Sequence, residues 1–152
     1  MVDRAKACIV AMGYRHAKEV DQLETFTPTA SVTPNRLMAG MADKLYWDLR
    51  HLDVDQIFVQ SELNIDIYLR LPPGCGSVCG KVVRINKALY GSKQGGRAWY
   101  QLLSSTLVEC GFEQCSVDPH MFRLRVTQDA VAMIVFHVDD IMMITAEEVT
   151  KL

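Results

Sequence analysis

Two adjacent carboxylates, Asp139 and Asp140, interrupt the apolar segment VAMIVFHVDDIMMIT at residues 131–145. Neighbouring carboxylates repel each other, and burying either one without a partner costs several kcal/mol. A tight turn in water, a basic partner or a divalent cation can offset that cost. We expect the pair at the tip of a β-hairpin facing a cleft, where the carboxylates keep some water and attract a divalent cation.

A catalytic cation site needs more than one acid pair. Two-metal phosphoryl transfer uses about three carboxylate or carbonyl donors, which hold ions roughly 3.5–4 Å apart. The segment HLDVDQIF at residues 51–58 supplies Asp53 and Asp55, and Asp53 closes an apolar strand. In an extended chain both side chains would lie on one side, unless a turn begins there. Asp53 is the candidate third ligand, and Asp55 is interpreted as a solvated or salt-bridged acid.

The elements that position these acids come from a chain of 152 residues, which is enough for one domain with a real core. Apolar residues make up 49% of the sequence and charged residues 22%, as in soluble globular proteins. No segment approaches the roughly 20 apolar residues of a membrane span, and the N-terminus does not have the pattern of a signal peptide. The composition therefore predicts an intracellular protein.

Cysteine and histidine give no strong metal-site pattern. A zinc site built from Cys75 and Cys79 with Cys110 and Cys115 is the alternative to free thiols, but the spacings are loose and no histidine stands close to either pair. We expect free thiols in a reducing compartment. Three histidines lie apart in the sequence and are interpreted as surface or satisfied core residues: His16, His51 and His120.

The charge is unevenly distributed, although the net charge is only −2. No acid occurs between Asp66 and Glu109, and this stretch carries six basic residues: Arg70, Lys81, Arg84, Lys87, Lys93 and Arg97. A basic block together with an acid cluster suits a polyanionic substrate and a metal ion. A solvated basic face is the alternative, and charge alone favours it.

Two helices are expected. The first begins at Pro34 with Thr33 as its N-cap, and its buried stripe consists of Leu37, Met38, Met41, Ala42 and Leu45. The second runs from about residue 97 to 110 and ends at a C-cap glycine, Gly111. Its buried face consists of Trp99, Leu102, Leu103, Leu107 and Cys110.

The remaining patterns favour strands and connectors. Strands are predicted over residues 6–14, 66–74, 121–128 and 131–136 and over the DIMMIT segment that follows the acid pair. Residues 49–59 are predicted to form a strand that runs into a turn, and residues 81–91 alternate apolar and basic positions up to Gly91. Connectors are predicted over residues 20–31 and 112–119.

Six segments, in order, make the chain resemble a known family. They are KACIVAMGY, ETFTPTASVTPNR, LDVDQIFVQSELNIDIYLRLPPG, VVRINKALYGSKQGGRAWY, GFEQCSVDPHMF and HVDD. Together they resemble the reverse transcriptase domain of copia-type (Ty1/copia) retrotransposon polyproteins along nearly the whole chain.

The resemblance implies an α+β fold with reverse transcriptase fingers and palm, in which an antiparallel sheet carries the catalytic acids and helices pack on one face. Residues 1–152 would form one partial domain of a Pol polyprotein, without a thumb. The implied activity is RNA-directed DNA polymerisation by two-metal nucleotidyl transfer to a primer 3′-hydroxyl. The implied cofactor is Mg²⁺ or Mn²⁺, and the partners are a template–primer, dNTPs and the rest of the polyprotein. The implied location is the cytoplasm, in a virus-like particle, or the nucleus.

The resemblance also assigns roles to individual residues. The catalytic acids would be Asp53, Asp139 and Asp140, which hold the metal together with the Val54 carbonyl. Nucleotide contacts would come from Lys6, Phe58, Tyr90, Gly91 and Lys93, and His137 would touch the primer end. The nucleic-acid track would be lined by Arg70, Lys81, Arg84, Lys87 and Arg97.

Several positions depart from the family pattern. His137 stands where the family has Tyr, and Ser61 replaces a Gly whose turn would strain a residue with a side chain. Gly95 and Gly96 replace Ala-Pro, which is expected to loosen the entry to the second helix. Such departures keep a second interpretation open, in which the chain is an inactive relic or a domesticated fragment that binds nucleic acid or another protein. A third interpretation takes the acid pair as the hairpin-tip cation site of another metal-dependent transferase.

Overall fold

The computed structural model describes residues 9–13, 31–125, 127 and 131–146. The chain divides into two compact units. The first unit contains Met1–Phe26 and Phe58–Trp99, and the second contains Thr27–Ile57 and Tyr100–Leu152. Each is described by itself below. Among the described residues, no helix has both the length and the apolar character needed to cross a bilayer.

The second unit is built around a five-stranded antiparallel sheet with the order β1-β7-β6-β5-β4. Its strands are β1 (Asp48–Asp53), β4 (Glu113–Gln114), β5 (Met121–Arg125), β6 (Val131–His137) and β7 (Asp140–Thr145). The predicted strands of this region are therefore present, and the predicted 112–119 connector contains the short β4. Mixed helices and antiparallel sheets confirm the α+β class.

Helices cover both faces of this sheet, which corrects the expectation that they pack on one face. Helix α1 (Val32–Leu45) packs through Met38 and Ala42 against Val135 and Ile144. Helix α3 (Gly95–Glu109) packs on the opposite face, where its clustered residues meet Phe122, Ile134, Phe136 and Ile141. The reason is the continuous apolar run of β6, because a strand with apolar residues at both parities must be covered on both sides.

Ser31 is the N-cap of α1, two residues earlier than predicted. Its Oγ accepts a hydrogen bond from the Thr33 backbone N–H at 3.2 Å. The predicted cap, Thr33, is therefore a helical residue, and Pro34 lies within the first turn, where its missing N–H costs nothing. Of the predicted stripe, Met38 and Ala42 are buried, Met41 is partly buried, and Leu37 and Leu45 are exposed.

Helix α3 begins at Gly95, ahead of the predicted start at Arg97. Its C-terminus is a Schellman motif, because Phe112 N–H donates to Leu107 C=O and Gly111 N–H donates to Val108 C=O. Gly111 has a φ of +89°, which confirms it as the predicted C-cap glycine. On the predicted buried face, Trp99 and Leu107 are buried.

The first unit contains a two-stranded antiparallel sheet of β2 (Glu62–Arg70) and β3 (Val82–Lys87). Their loop contains a single 3₁₀ turn at Gly76–Val78. The described part of the predicted 6–14 strand, residues 9–13, forms no strand. The predicted 49–59 strand runs into a turn at residues 55–56, as expected, and a short helix, α2 (Ile57–Gln60), follows. The predicted 20–31 connector lies outside the described residues except for Ser31.

Candidate active site

Strand pairing in the second unit brings the three acids to one end of the sheet. Asp53 on β1 lies directly opposite Asp140 on β7. The Val54 N–H donates a hydrogen bond to the Asp139 carbonyl at 3.1 Å, so the backbone of the acid pair is tied to the end of β1. Residues directly opposite in an antiparallel pair project from the same face. Asp53 and Asp140 therefore share the face that α1 covers farther along the sheet.

Strand β1 ends where it does because the chain turns after Asp53. Gln56 has a φ of +55°, and α2 starts at Ile57, whose side chain is fully buried. Asp55 lies within this turn, so the alternation that would have placed it beside Asp53 does not apply. The turn separates the two acids of the HLDVDQIF segment into different environments.

Asp139 lies in a tight two-residue turn between β6 and β7, as expected for a hairpin tip. His137 and Asp140 are the flanking pair, and Val138 and Asp139 form the turn. Val138 has a φ of +59°, whereas Asp139 does not have a positive φ. A positive φ at the first central residue alone matches a type II′ turn, which ordinarily has glycine there. A β-branched residue in this conformation is strained, and such strain concentrates at functional sites.

His51 contacts the acid cluster, which consists of Asp53, Asp139 and Asp140. The sequence did not indicate this contact. Its Nε2 lies 3.0 Å from Asp140 Oδ1. It sits two residues before Asp53, so it projects from the same face of β1. Both side chains remain about 60% exposed. The sequence-based interpretation of His51 as a surface or satisfied core residue therefore did not anticipate its contact with Asp140.

A cleft of about 310 Å³ opens beside this cluster in the second unit. It is lined by the first turn of α1 on one side and by the sheet on the other. The lining residues are Ser31, Val32, Asn35, His51, Val135, His137, Asp140 and Met142. His137, the predicted primer contact, is exposed at the rim beside Asp140. The cleft thus reaches the acids directly through Asp140, with His51 and His137 beside it.

The donor chemistry fits a hard divalent cation. Three carboxylates and the Val54 carbonyl are oxygen ligands, which Mg²⁺ and Mn²⁺ prefer. Among the described residues, however, no three His, Cys, Asp or Glu side chains lie close enough to hold an ion. The backbone register gathers the acids at one sheet end, and Asp140 Oδ1 lies 3.0 Å from His51 Nε2.

The four described cysteines outside this cluster are free thiols, as expected: Cys75, Cys79, Cys110 and Cys115. No group of three ligand side chains occurs in the described ranges, and this search covers these four cysteines. The zinc alternative therefore gains no support.

His120 is a buried histidine next to the sheet. Its ring packs edge-on against Tyr100 and Phe136, and its Nδ1 has no hydrogen-bond partner in the described part of the chain. Burial lowers the pKa of His120, and this effect outweighs the opposing charge of Asp118. His120 is therefore neutral near pH 7 and belongs to the core, although its unpartnered Nδ1 differs from the satisfied core histidine that was expected.

In the first unit, the predicted nucleotide-binding residues gather around one turn. The Phe58 and Tyr90 rings meet edge-on with centroids 4.7 Å apart. Gly91 has a φ of +80°, and a Cβ there would collide with the Ala11 carbonyl oxygen. Lys93 is exposed just after this turn. Gly91 is thus required by close backbone packing, and Lys6 lies outside the described residues.

Gln94, directly before α3, is a polar residue of this unit that sequence reasoning missed. It is only 8% exposed, and neither its amide nitrogen nor its amide oxygen has a partner among the residues described. Gly95 beside it is closely surrounded, because a Cβ there would lie 2.7 Å from Ser92 Oγ and 3.2 Å from the Phe58 ring. The glycine thus allows close packing at Gly95, while the loosening expected from Gly95 and Gly96 together stays a prediction.

The expected strain at Ser61 is also wrong. Ser61 does not have a positive φ, and the positive φ in this region is at Gln56. Ser61 is instead buried, with its Oγ unpartnered among the described residues. Burial of an unpaired hydroxyl is the cost of this substitution.

The predicted nucleic-acid track is only partly assembled on the β2–β3 sheet. Tyr68 lies opposite Arg84, and Arg70 is two residues farther along β2, so the three share an exposed face. Arg84 also forms an ion pair with Asp66 at 2.7 Å. Lys87 lies instead opposite Glu62. Two other predicted track residues lie elsewhere in the unit: Lys81 precedes β3, and Arg97 is in the first turn of α3.

Comparison with known proteins identifies the family. A family model described as reverse transcriptase (RNA-dependent DNA polymerase) matches residues 1–152. The Retrovirus-related Pol polyprotein from transposon RE1 of Arabidopsis thaliana is 39% identical over 99% of this chain. The corresponding polyprotein from transposon TNT 1-94 of Nicotiana tabacum is 31% identical over 93% of the chain. The truncated transposon Ty1-A Gag-Pol polyprotein of Saccharomyces cerevisiae is 31% identical over 72%.

The chain spans only 9–11% of the length of these three relatives. No solved structure matches it. The match of the family model along the whole chain and the identity to the plant polyproteins nevertheless settle its ancestry. The chain belongs to the reverse transcriptase (RNA-dependent DNA polymerase) family, and its high-coverage relatives are copia-type Pol polyproteins.

Proposed function

We propose that this chain is the fingers and palm portion of an RNA-directed DNA polymerase and that the second unit is the palm. The observation that carries the proposal is the register of Asp53 against Asp140, with Asp139 in the adjoining turn. The backbone brings three acids from two distant segments to one sheet end, and metal-assisted nucleotidyl transfer uses about three such ligands. As in its relatives, the chain would act within a longer Pol polyprotein.

The cation would be held by Asp53, Asp139, Asp140 and the Val54 carbonyl. When bound, Mg²⁺ or Mn²⁺ supplies activation of the primer 3′-hydroxyl and neutralisation of charge on the departing pyrophosphate. The protein's own part is positioning. Two backbone features hold the main chain from which the carboxylates project: the hydrogen bond from Val54 N–H to Asp139 C=O and the β1–β7 pairing. His137, exposed beside Asp140, would contact the primer end.

The first unit would contact the incoming nucleotide. The Phe58 ring is held edge-on by Tyr90, so it offers a fixed apolar surface to a sugar ring. Lys93 is exposed at the same turn and supplies a charge for phosphate.

The template–primer would lie along basic residues without reading sequence. Arg70 and Arg84 share an exposed face with Tyr68, and this combination suits backbone phosphates and a stacked base. Because Arg84 is already paired with Asp66, its contribution is expected to be smaller than that of Arg70. Binding should weaken strongly with salt.

Primer extension on an RNA template with Mg²⁺ tests the proposal. We expect extension by the wild-type chain and none by Asp139→Asn, because the variant removes a ligand charge. Asp43→Asn is the matched control, since Asp43 is an exposed acid on α1. Equal extension by all three proteins would contradict the assignment, and unfolding of Asp139→Asn would show that this acid is structural.

A nucleic-acid-binding module without catalysis is the second candidate, favoured by the exposed Tyr68–Arg70–Arg84 face. Fluorescence anisotropy with a labelled RNA–DNA duplex would measure binding across a salt series. If a folded wild-type chain binds but does not extend the primer, and Tyr68→Ala and Arg70→Gln both weaken binding, the present function is binding. If neither variant changes the affinity, this face is not the contact surface.

A further inference from the structure

We propose that His51 is a positioning residue that orients the Asp140 carboxylate for cation binding. The inference rests on the proposed function, because it takes Asp140 as a metal ligand. It concerns a residue that the family motifs do not assign, and it follows from one contact: the 3.0 Å approach of His51 Nε2 to Asp140 Oδ1.

The chemistry of the two groups fixes the direction of this hydrogen bond. An ionised carboxylate only accepts hydrogen bonds, so the His51 Nε2 must carry the hydrogen that it donates. The bond therefore selects an imidazole with a proton on Nε2. It holds Oδ1 of Asp140 in one place and leaves Oδ2 as the oxygen able to meet a cation.

The β1–β7 register places His51 and Asp140 next to each other. His51 lies opposite Met142, and Asp53 lies opposite Asp140, so His51 is the diagonal neighbour of Asp140 on one face. The register continues without interruption from Asp48 to Asp53. His51 thus reaches Asp140 across the pair from a fixed strand position.

The adjacent cation on β1 does not serve the acids. Arg50 projects from the opposite face and binds Asp48 at 2.7 Å. His51 is therefore the β1 side chain that donates to Asp140. Groups that hydrogen-bond a ligating carboxylate restrict its rotamers, and removing them typically weakens metal binding by 10- to 100-fold. Since both partners are more than half exposed, we expect a loss near the lower end, about tenfold.

Titration of the full chain with Mn²⁺, followed by electron paramagnetic resonance, measures binding without requiring activity. His51→Gln keeps an amide donor at nearly the position of Nε2, whereas His51→Asn is one methylene too short to place it there. We expect His51→Gln to bind Mn²⁺ within about threefold of wild type and His51→Asn to bind about tenfold more weakly. Arg50→Gln is the matched control on the other face and should match wild type. Circular dichroism confirms that each protein is folded.

The outcomes separate this inference from the proposed function. If wild type binds Mn²⁺, Asp140→Asn does not, and His51→Asn binds as well as wild type, His51 is not a positioning residue although the metal site stands. Tighter binding by His51→Asn would overturn the inference in another way, because His51 would then compete with the metal for Asp140. If the folded wild type binds no Mn²⁺, the proposed function fails, and this inference fails with it.

Discussion

Replacing Val138 by glycine should stabilise the protein, although glycine substitutions usually destabilise. Val138 occupies the first central position of the β6–β7 turn with a φ of +59°. Residues held in such sparsely populated conformations cost about 1–3 kcal/mol, and a β-branched residue belongs in the upper part of that range. Glycine adopts this conformation freely, so Val138→Gly removes the strain.

Two losses offset part of that gain. Glycine has more conformational freedom to lose on folding, which costs about 0.5–1 kcal/mol. The Val138 side chain is 43% exposed, so the apolar area lost is worth about 1 kcal/mol. The expected net stabilisation is about 0.5–1 kcal/mol, which corresponds to a rise in Tm of about 1–4 °C for a chain of this size.

Urea and thermal unfolding followed by circular dichroism measure this change. Val117→Gly is the control, because Val117 is 90% exposed, does not have a positive φ and undergoes the same chemical change. It should lose about 0.5–1 kcal/mol through the unfolded state. Equal destabilisation of both variants would refute the strain argument. A stabilised Val138→Gly protein with weaker Mn²⁺ binding would show that the strain helps to position Asp139.

Three other predictions test local features of the fold. Ser31→Ala should cost about 1 kcal/mol in urea unfolding, whereas Thr33→Ala should cost less, because Ser31 provides the capping oxygen; the reverse order would restore the sequence-based assignment. Gly91→Ala should destabilise the protein by more than about 1 kcal/mol, because the new Cβ would collide with the Ala11 carbonyl. Gly40 occupies an open helical position, so the control Gly40→Ala should stabilise the protein by about 0.5–1 kcal/mol. Equal effects of the two variants would contradict the packing account. The pKa of His120 is lowered in the folded state, so the unfolded state binds the proton more readily. Stability should therefore fall as the pH drops below about 6.5, until the folded pKa is passed. His120→Phe should flatten this dependence, and an unchanged pH profile would exclude His120 as its source.

The sequence predicts the hairpin tip well because its signal is local. Two acids within an apolar run can be accommodated only where the chain leaves the core, and the structure has a two-residue turn there. Helix ends are less certain, since Ser31 and Thr33 are both good capping residues two positions apart. The structure distinguishes them through the hydrogen bond to Ser31 Oγ.

Long-range features could not be predicted in the same way. His51 and Asp140 are 89 residues apart, and only the β1–β7 register makes them neighbours. No local pattern specifies that register. The two-sided packing of the sheet did have a signal, the unbroken apolar run of β6, which the expectation of helices on one face overlooked.

The polar character of β1 reconciles two demands on one strand. Among the strands that the structure describes, β1 is the edge of its sheet and is exposed along its whole length, and the unpaired backbone groups of an edge invite pairing with other chains. Charged or polar side chains at Asp48, Arg50, His51 and Asp53 oppose such pairing. Under the proposed function, the same exposure would leave the Asp53 end open to a bulky polymeric substrate. In the middle of the sheet, a strand carrying Asp53 would be protected from aggregation, but its carboxylate would be less accessible to a nucleic acid, so edge placement with charged side chains would satisfy both requirements.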